Sequence, residues 1–339
     1  MNLFRTELRR LAKRRFVRYM VLVGLLVLVA IAGGTYLTNQ KIGPAQIAAA
    51  ERAADRDYQQ QVMFVEQHRR ECERIQANGT AEEKANIPAD CSVIQPPPRE
   101  AIDPQWHMAA TFEFRKEFEP MITAFAAILA LVAFAAGASF VGAEWNTGGM
   151  MNLLLWRPRR LHVLGTKLAA LLAGLVGLFL LSAAAYTAAF WAVGRYRGST
   201  AGMTSGVWQS FALTGLRGLV LVLAAGAIGF GLASLGRHTA LALGGALGVA
   251  VVGQFGLGIL LNIAQVKFFQ AWLLPTYLLA WMQKKITLQD YEACQVSYTG
   301  ECRPDTMDIV WQDTAVLLAS GLVLVVGAAL WVMRRRDVT

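Results

Sequence analysis

The sequence predicts an all-α polytopic membrane protein. Six transmembrane helices are expected, with an N-terminal interfacial amphipathic helix and a large extracytoplasmic helical hairpin between the first and second spans. Three observations predict this class. The 339-residue chain is 55% hydrophobic and only 16% charged, where a soluble domain carries about 25% charged residues. Six uncharged runs reach or approach the roughly 20 apolar residues that cross a bilayer: 19–37, 121–142, 168–193, 218–235, 239–261 and 314–333. Too little polar sequence remains to cover six such helices in water. Basic residues and cysteines then divide between alternate connections, as a chain threaded back and forth requires.

Residues 1–18 hold seven basic residues, with Phe4, Leu8 and Leu11 recurring at helical spacing and continuing into Tyr19. This pattern predicts a cytosolic interfacial helix, with Arg9, Arg10, Arg14 and Arg15 facing anionic lipid. A basic start, an apolar run and Ala30-Ile31-Ala32 mimic a secretory signal, but the long helical basic segment favours an uncleaved anchor. After the first span, residues 38–119 are long enough to form a small domain. Pro44 is placed as a helix starter. Apolar residues then recur at Ile47, Ala54, Tyr58, Val62, Val65, Cys72 and Ile75 with a helical period. Asn78-Gly79 reads as a turn, Pro96-Pro97-Pro98 as a stiff segment, and residues 106–118 as a second helix leading back to the membrane. Asn78-Gly79-Thr80 also fits a glycosylation sequon, a short pattern with many chance matches.

The second span, taken as 120–142, is followed by a connection at 143–167, the third span at 168–193 and a short loop at 194–217. The fourth span, 218–235, and the fifth, 239–261, are separated by a turn at 236–238. Residues 262–313 contain apolar stretches interrupted by Pro275, which predicts an interfacial or re-entrant helix with Trp272 and Trp281 at head-group depth. The sixth span, 314–333, and a tail at 334–339 complete the chain.

Charge orients it. Residues 1–18, 143–167, 236–238 and 334–339 hold 15 of the 32 Lys and Arg, but only Glu7, Glu144 and Asp337 among 23 acids. The positive-inside rule therefore places these segments and both termini in the cytosol of a cell whose plasma (inner) membrane holds the protein. The net charge of +9 is a topology signal toward anionic lipid, and no nucleic-acid partner is needed to explain it. Cys72, Cys91, Cys294 and Cys302 all fall in the two loops placed outside, where disulfides persist. Three connectivities are possible; the local pairing, Cys72–Cys91 and Cys294–Cys302, is the simplest.

Reactive chemistry is sparse. Arg217, at the outer boundary of the fourth span, is the one ionisable candidate near the spans, and snorkelling to the interface accounts for it. His68 and Cys72 stand four apart, without the further clustered ligands a metal site needs. The chain has no G-x-x-x-x-G-K-[ST] and no Gly-Lys pair, so it cannot cradle a nucleotide by that route. No cofactor or metal is expected in this chain, and no enzyme active site is visible.

Residues 141–167 need another explanation. Glu144 follows some twenty apolar residues; 147–156 reads as a short helix carrying Met150, Met151, Leu153, Leu154 and Leu155; Pro158 ends it among Arg157, Arg159 and Arg160. A plain cytosolic turn accounts for the arginines as lipid anchors, but not for the glutamate, the glycines or an apolar helix.

This stretch resembles the signature of ABC type-2 exporter permeases. Glu144, Thr147-Gly148-Gly149, Leu153-Leu154-Leu155, Pro158, Arg160 and Lys167 occur in the family's order. The helix start Glu7-Leu8-Arg9-Arg10-Leu11 and the turn Leu235-Gly236-Arg237-His238-Thr239-Ala240 are also similar, and Leu274-Pro275-Thr276 more weakly so. Two features depart from it: Thr-Gly-Gly-Met where relatives commonly have Gly-Thr and an aliphatic residue, and an unusually large first outer loop. The resemblance implies a membrane subunit paired with a second permease copy or paralogue and with a cytosolic ABC ATPase dimer that binds ATP and Mg. The coupling helix would be the cytosolic segment carrying Glu144, Trp145, Thr147, Gly148, Gly149, Leu154, Arg157, Pro158, Arg160 and Lys167. The second and fifth spans would line the path. Their apolar character suits a hydrophobic or amphipathic cargo, such as a drug, lipid or peptide. Gly244, Gly245, Gly248, Gly253, Gly256 and Gly258 would serve that path or only close helix approach. Residues 45–118 are a place for an extracytoplasmic ligand or protein. The alternative function is a non-transporting scaffold or sensor that couples an ATPase to the outer domain.

Overall fold

The computed structural model describes residues 3–150, 160–290 and 304–335. Six of its helices are long and apolar enough to cross a membrane. They are α2 (Arg15–Thr38), α5 (Phe114–Asn146), α6 (Arg160–Arg197), α7 (Ser205–Gly236), α8 (Thr239–Ile263) and α10 (Trp311–Arg335). Each contains one of the six apolar runs and extends past it. Hydropathy marks only the part of a helix that must avoid water, whereas local capping sets where the helix stops. α7 begins where the Thr204 hydroxyl accepts from the Val207 N–H and ends where Arg237 turns left-handed at φ 52°. His238 then caps α8 by accepting the Ala240 N–H. With 38 residues, α6 is about 57 Å long, well beyond the roughly 30 Å hydrocarbon layer.

The chain divides into two units. The larger, residues 1–33, 114–192 and 200–339, is the helical bundle. Its centre is the α5–α7 pair. In each of these helices 61% of the most apolar window is buried, against 22% in α6, 11% in α2 and α10, and none in α8. Small residues set the approach of the central pair, as they do between helices that lack a water-driven hydrophobic force. A Cβ at Gly137 would lie 2.2 Å from the Gly226 carbonyl oxygen, and one at Gly229 would lie 2.3 Å from that of Phe134. α10 joins this core through Val325, against Gly231.

The fifth-span glycines behave differently. Nothing lies within 4 Å of a Cβ placed at Gly244, Gly245 or Gly248, so within one chain these residues approach no neighbouring helix. α8 also changes its winding, passing through a π-helical stretch at Val249–Gly256. Runs of this kind are rare and concentrate at functional sites. Beyond α8 the chain forms a 3-10 turn (Phe269–Trp272), α9 (Leu274–Gln283) and an antiparallel hairpin of β3 (Lys285–Asp290) with β4 (Asp305–Val310). The interfacial helix expected across residues 262–313 is thus a ten-residue helix with Pro275 in its first turn, plus strands that periodicity did not reveal. Trp281 Nε1 donates to the Arg217 carbonyl oxygen at 2.9 Å. Cys294 and Cys302 lie outside the described residues.

The second unit comprises residues 34–113 and 193–199. It is built on α3 (Pro44–Asn78), whose start is set by Pro44 in the first turn and by Gln46 reaching back to the Gly43 N–H at 2.8 Å. Its 35 residues span about 52 Å. Thr80 and Glu83 then form a reciprocal capping box for the short α4 (Ala81–Ala85), which gives Thr80 of the sequon a structural role. Hydrogen bonds from Thr80 hold the Glu83 carboxyl below its ordinary range.

The return arm corrects the hairpin expectation, because it is not a second long helix. It runs as 3-10 turns at Cys91–Val93, Arg99–Ala101 and Pro104–His107 and then extends into β1 (Phe112–Glu113), which pairs in parallel with β2 (Gly198–Ser199). Prolines at 96–98 and 104 break helical propagation, and Gly198 lacks the Cβ that would sit 1.9 Å from the Phe112 carbonyl oxygen. The arm is tied to α3 by Arg99, which donates to Asp55 at 2.5 Å and to the Ile102 carbonyl at 2.9 Å, and by the disulfide Cys72–Cys91. That bond occupies Cys72, so a thiolate metal site with His68 is not formed. Closing a loop with a separation of 19 residues stabilises this unit by about 3 kcal/mol. Cys72→Ser is therefore expected to make residues 81–107 sensitive to limited proteolysis while the bundle keeps its thermal midpoint.

Candidate functional site

The site forms where α1 (Leu3–Lys13), the last turn of α5 and the first turns of α6 converge. α1 is strongly amphipathic, and its inward face carries Leu11 and Glu7, both buried, with Glu7 fully so. Leu11 seats in α6 at Gly174, where a Cβ would meet its methyl at 2.8 Å. A fully buried carboxylate requires a partner, and Glu7 has two. Lys167 Nζ donates to Oε2 at 2.6 Å, and Arg10 Nη1 to Oε1 at 3.0 Å.

Lys167 is itself completely buried, two turns into α6, and its ammonium also contacts Glu144 Oε2 at 2.7 Å. The other Glu144 oxygen accepts from Arg14 Nη2 at 2.7 Å. Arg14 uses its second nitrogen on the Ser139 carbonyl, also at 2.7 Å. The Phe140 ring underlies both cations, each 5.1 Å from its centroid. Charges therefore alternate Arg10, Glu7, Lys167, Glu144, Arg14, closing α1, α5 and α6 into one clasp. Its geometry is what allows burial, because each ion keeps an opposite charge within hydrogen-bond distance. Arg5, Arg9, Arg10, Lys13 and Arg14 line a groove that borders Glu144.

A second junction lies beside the clasp. Gly142 meets the start of α8 so closely that a Cβ would lie 2.5 Å from both the N and the Oγ1 of Thr239. Arg237, in the left-handed turn between α7 and α8, stands over the Trp145 ring at 5.0 Å from its centroid. The end of the second span thus touches the first turn of the fifth.

The residues singled out in the sequence take distinct places. Glu144 and Lys167 come together facing inward. Arg14, expected toward lipid, turns inward to Glu144, whereas Arg9, Arg10 and Arg15 are exposed. Trp145 lies on the last turn of α5. The Thr147 hydroxyl bonds back to the Ala143 carbonyl at 3.0 Å. Gly148, at φ +68°, breaks the helix, Gly149 follows it, and Arg160 opens α6. Leu154, Arg157 and Pro158 lie outside the described residues. Sequence reasoning did not assign Glu7, Arg237 or Thr239 to a site. The available signal for Glu7 was its standing as the one acid among seven basic residues in 1–18.

Six membrane-length helices, with a buried charge clasp where α1, α5 and α6 converge, define a multi-pass membrane protein. The profile described as ABC-2 family transporter protein matches residues 1–338, and the chain belongs to that family. It is accordingly the membrane permease subunit of an ABC transporter, and the family implies an ABC ATPase subunit as its partner. Comparison with curated proteins and with solved structures gives no match.

Proposed function

We propose that this permease exports a hydrophobic or amphipathic compound, and that its charge clasp carries the motion of the ATPase into the bundle. The clasp end, with both chain termini, faces the cytosol, as the distribution of basic residues supports. Residues 147–160 seat on the ATPase, with ATP and Mg on that subunit, while Glu144 and Lys167 fix the two ends of the segment to each other and to α1. The carrying observation is Lys167, fully buried and bridging Glu7 and Glu144. A displacement of the segment cannot leave α1, α5 and α6 behind without breaking a buried ion pair. Through Gly142 and Thr239 the same displacement reaches the fifth span.

A second copy of the chain covers α8 in this reading. Val252, Phe255, Ile259 and Leu260 are each at least 61% exposed, and Gly244, Gly245 and Gly248 meet no other part of the chain. The test is co-purification of the ATPase, followed by comparison of its activity alone, with the wild-type permease, and with variants of Glu144 and Arg160. Stimulation by the wild type and its loss in the variants is the expected result; undiminished stimulation in both would sink the coupling role.

One observation favours the scaffold alternative. The loop unit is an independently braced body with Met63 and Phe64 about 60% exposed on α3. Replacing residues 44–111 by a short linker separates the readings. Export predicts that stimulated ATPase activity survives the deletion within about twofold, since that difference is under 0.5 kcal/mol; a scaffold predicts its collapse.

A further inference from the structure

Five cations line the groove beside Glu144, but only two of them serve the clasp. Arg10 pairs with Glu7 and Arg14 with Glu144. Arg5, Arg9 and Lys13 are exposed and form no ion pair with any described residue. They stand four apart in α1 and so make one row along a single face of the helix. Like charges at this spacing weaken a helix, and an anion laid along the row relieves their repulsion.

An apolar cavity of about 450 Å³ adjoins the row. Leu8 lines both the groove and the cavity. The cavity wall is built from Leu11 of α1, Val21 of α2, Val132 of α5, and Leu171, Leu175 and Leu178 of α6. Arg18 is the only charged residue among those lining it, and its Nε donates to the Ala12 carbonyl oxygen at 2.8 Å. That bond holds the guanidinium against the end of α1, where Ala12 lies about one turn beyond Arg9.

Depth separates the possible anions. Val132 and Leu178 each lie ten residues from the clasp end of their apolar runs, about 15 Å along a helix, and the other span residues of the wall lie nearer that end. This is the layer where acyl chains begin, directly below the head-group phosphates. A soluble anion or an acidic protein segment has no use for an apolar cavity beside the row.

We infer that groove and cavity together bind one anionic phospholipid as a discrete ligand, its phosphate on the row of Arg5, Arg9 and Lys13 and one acyl chain passing Leu8 into the cavity. The site thereby goes beyond the general attraction of basic residues for a membrane surface, because it takes head group and chain at once. A zwitterionic head group fits it less well. Its ammonium needs an acid, and Glu144, the one acid lining the groove, is already held by Lys167 and Arg14.

The test is native mass spectrometry of the purified full chain in detergent, with three probes: phosphatidylglycerol, phosphatidylcholine with the same acyl chains, and glycerophosphoglycerol, the anionic head group without chains. One phosphatidylglycerol per chain is expected to bind at about tenfold lower concentration than phosphatidylcholine. Each basic residue near a membrane surface is worth about fivefold in binding, so two of the three cations suffice for that preference. The triple variant Arg5→Gln, Arg9→Gln, Lys13→Gln should erase it and leave the thermal midpoint in place, since all three side chains are exposed. Ala12 is exposed and lines the cavity, so Ala12→Trp should obstruct the chain and weaken phosphatidylglycerol at least fivefold with the midpoint again unchanged. Equal binding of the two lipids by the wild type, or an undiminished preference in the triple variant, would overturn the inference. So would glycerophosphoglycerol binding as tightly as the whole lipid, which would mark a plain anion groove. An oligoglutamate peptide that binds more tightly than the lipid would assign the row to an acidic protein segment and overturn it too. Binding is read without the ATPase and with every clasp residue intact, so it stands or falls apart from the coupling role.

Discussion

Replacing Lys167 by methionine is expected to abolish ATPase stimulation and to lower the stability of the bundle by about 3–5 kcal/mol, the cost of removing one partner from a buried ion pair. Methionine nearly matches the length of the lysine stem, so no large void opens. What is lost is the ammonium that both Glu7 and Glu144 contact. Each carboxylate retains one arginine, Arg10 or Arg14, but neither arginine links α1 to α6. The variant should therefore fall out of the clasp mechanically as well as energetically. Thermal unfolding in detergent measures the first effect, and nucleotide hydrolysis with the partner subunit measures the second. Arg10→Ala is the matched control, since Arg10 is half-exposed and screened accordingly; its effect on either readout should be small.

The second large effect is expected at the crossing of α5 and α7. Gly229→Leu places a branched side chain where even a Cβ would lie 2.3 Å from the Phe134 carbonyl oxygen. Backbone cannot yield there as a flexible side chain would, so the two central helices must separate. Overpacking of this kind costs about 3 kcal/mol or more. We expect no folded permease to be recovered from membranes. Gly245→Leu, on α8 where nothing lies within 4 Å, should leave the monomer folded. Size-exclusion profiles of the two variants make the comparison.

The contrast between those glycines shows what a sequence conveys about this fold. Six spans were legible because twenty uncharged residues in a row have no other stable setting. Their true ends were not, since Thr204 and His238 set them through single capping bonds. Glycine content pointed to the fifth span as a place of close approach, whereas the close approaches within the chain are at Gly137, Gly226 and Gly229. Composition gives the supply of small residues but not the face that meets another backbone. In the loop unit, Pro44 and the helical period of α3 were readable, as was the local pairing of Cys72 with Cys91. The return arm was not legible because a parallel strand pairing with residues 198–199 has no local signature.

The site was half legible for a similar reason. Glu144 and Lys167 stood out as charges at the edges of apolar runs. Their partners come from 130 and 160 residues away in the chain, and α1 read as a lipid-facing helix because Arg5, Thr6, Arg9, Arg10 and Lys13, five of its eleven residues, lie toward one face. A charged face and a buried acid on the same short helix are compatible only once a cation elsewhere is known to meet the acid.

In the proposed mechanism the clasp transmits motion, beyond merely holding α1 in place. The triple variant Lys167→Met, Glu7→Gln, Glu144→Gln tests it most directly. Neutralising these three of the five charges removes the unpaired carboxylates, Arg14 keeps its bond to the Ser139 carbonyl and Arg10 stays half-exposed, and replacing buried ion triads by neutral residues is often stability-neutral or better. The triple variant is expected to regain most of the thermal stability lost in Lys167→Met and still to fail to stimulate the ATPase. Wild-type stimulation by that stable, uncharged variant would contradict it.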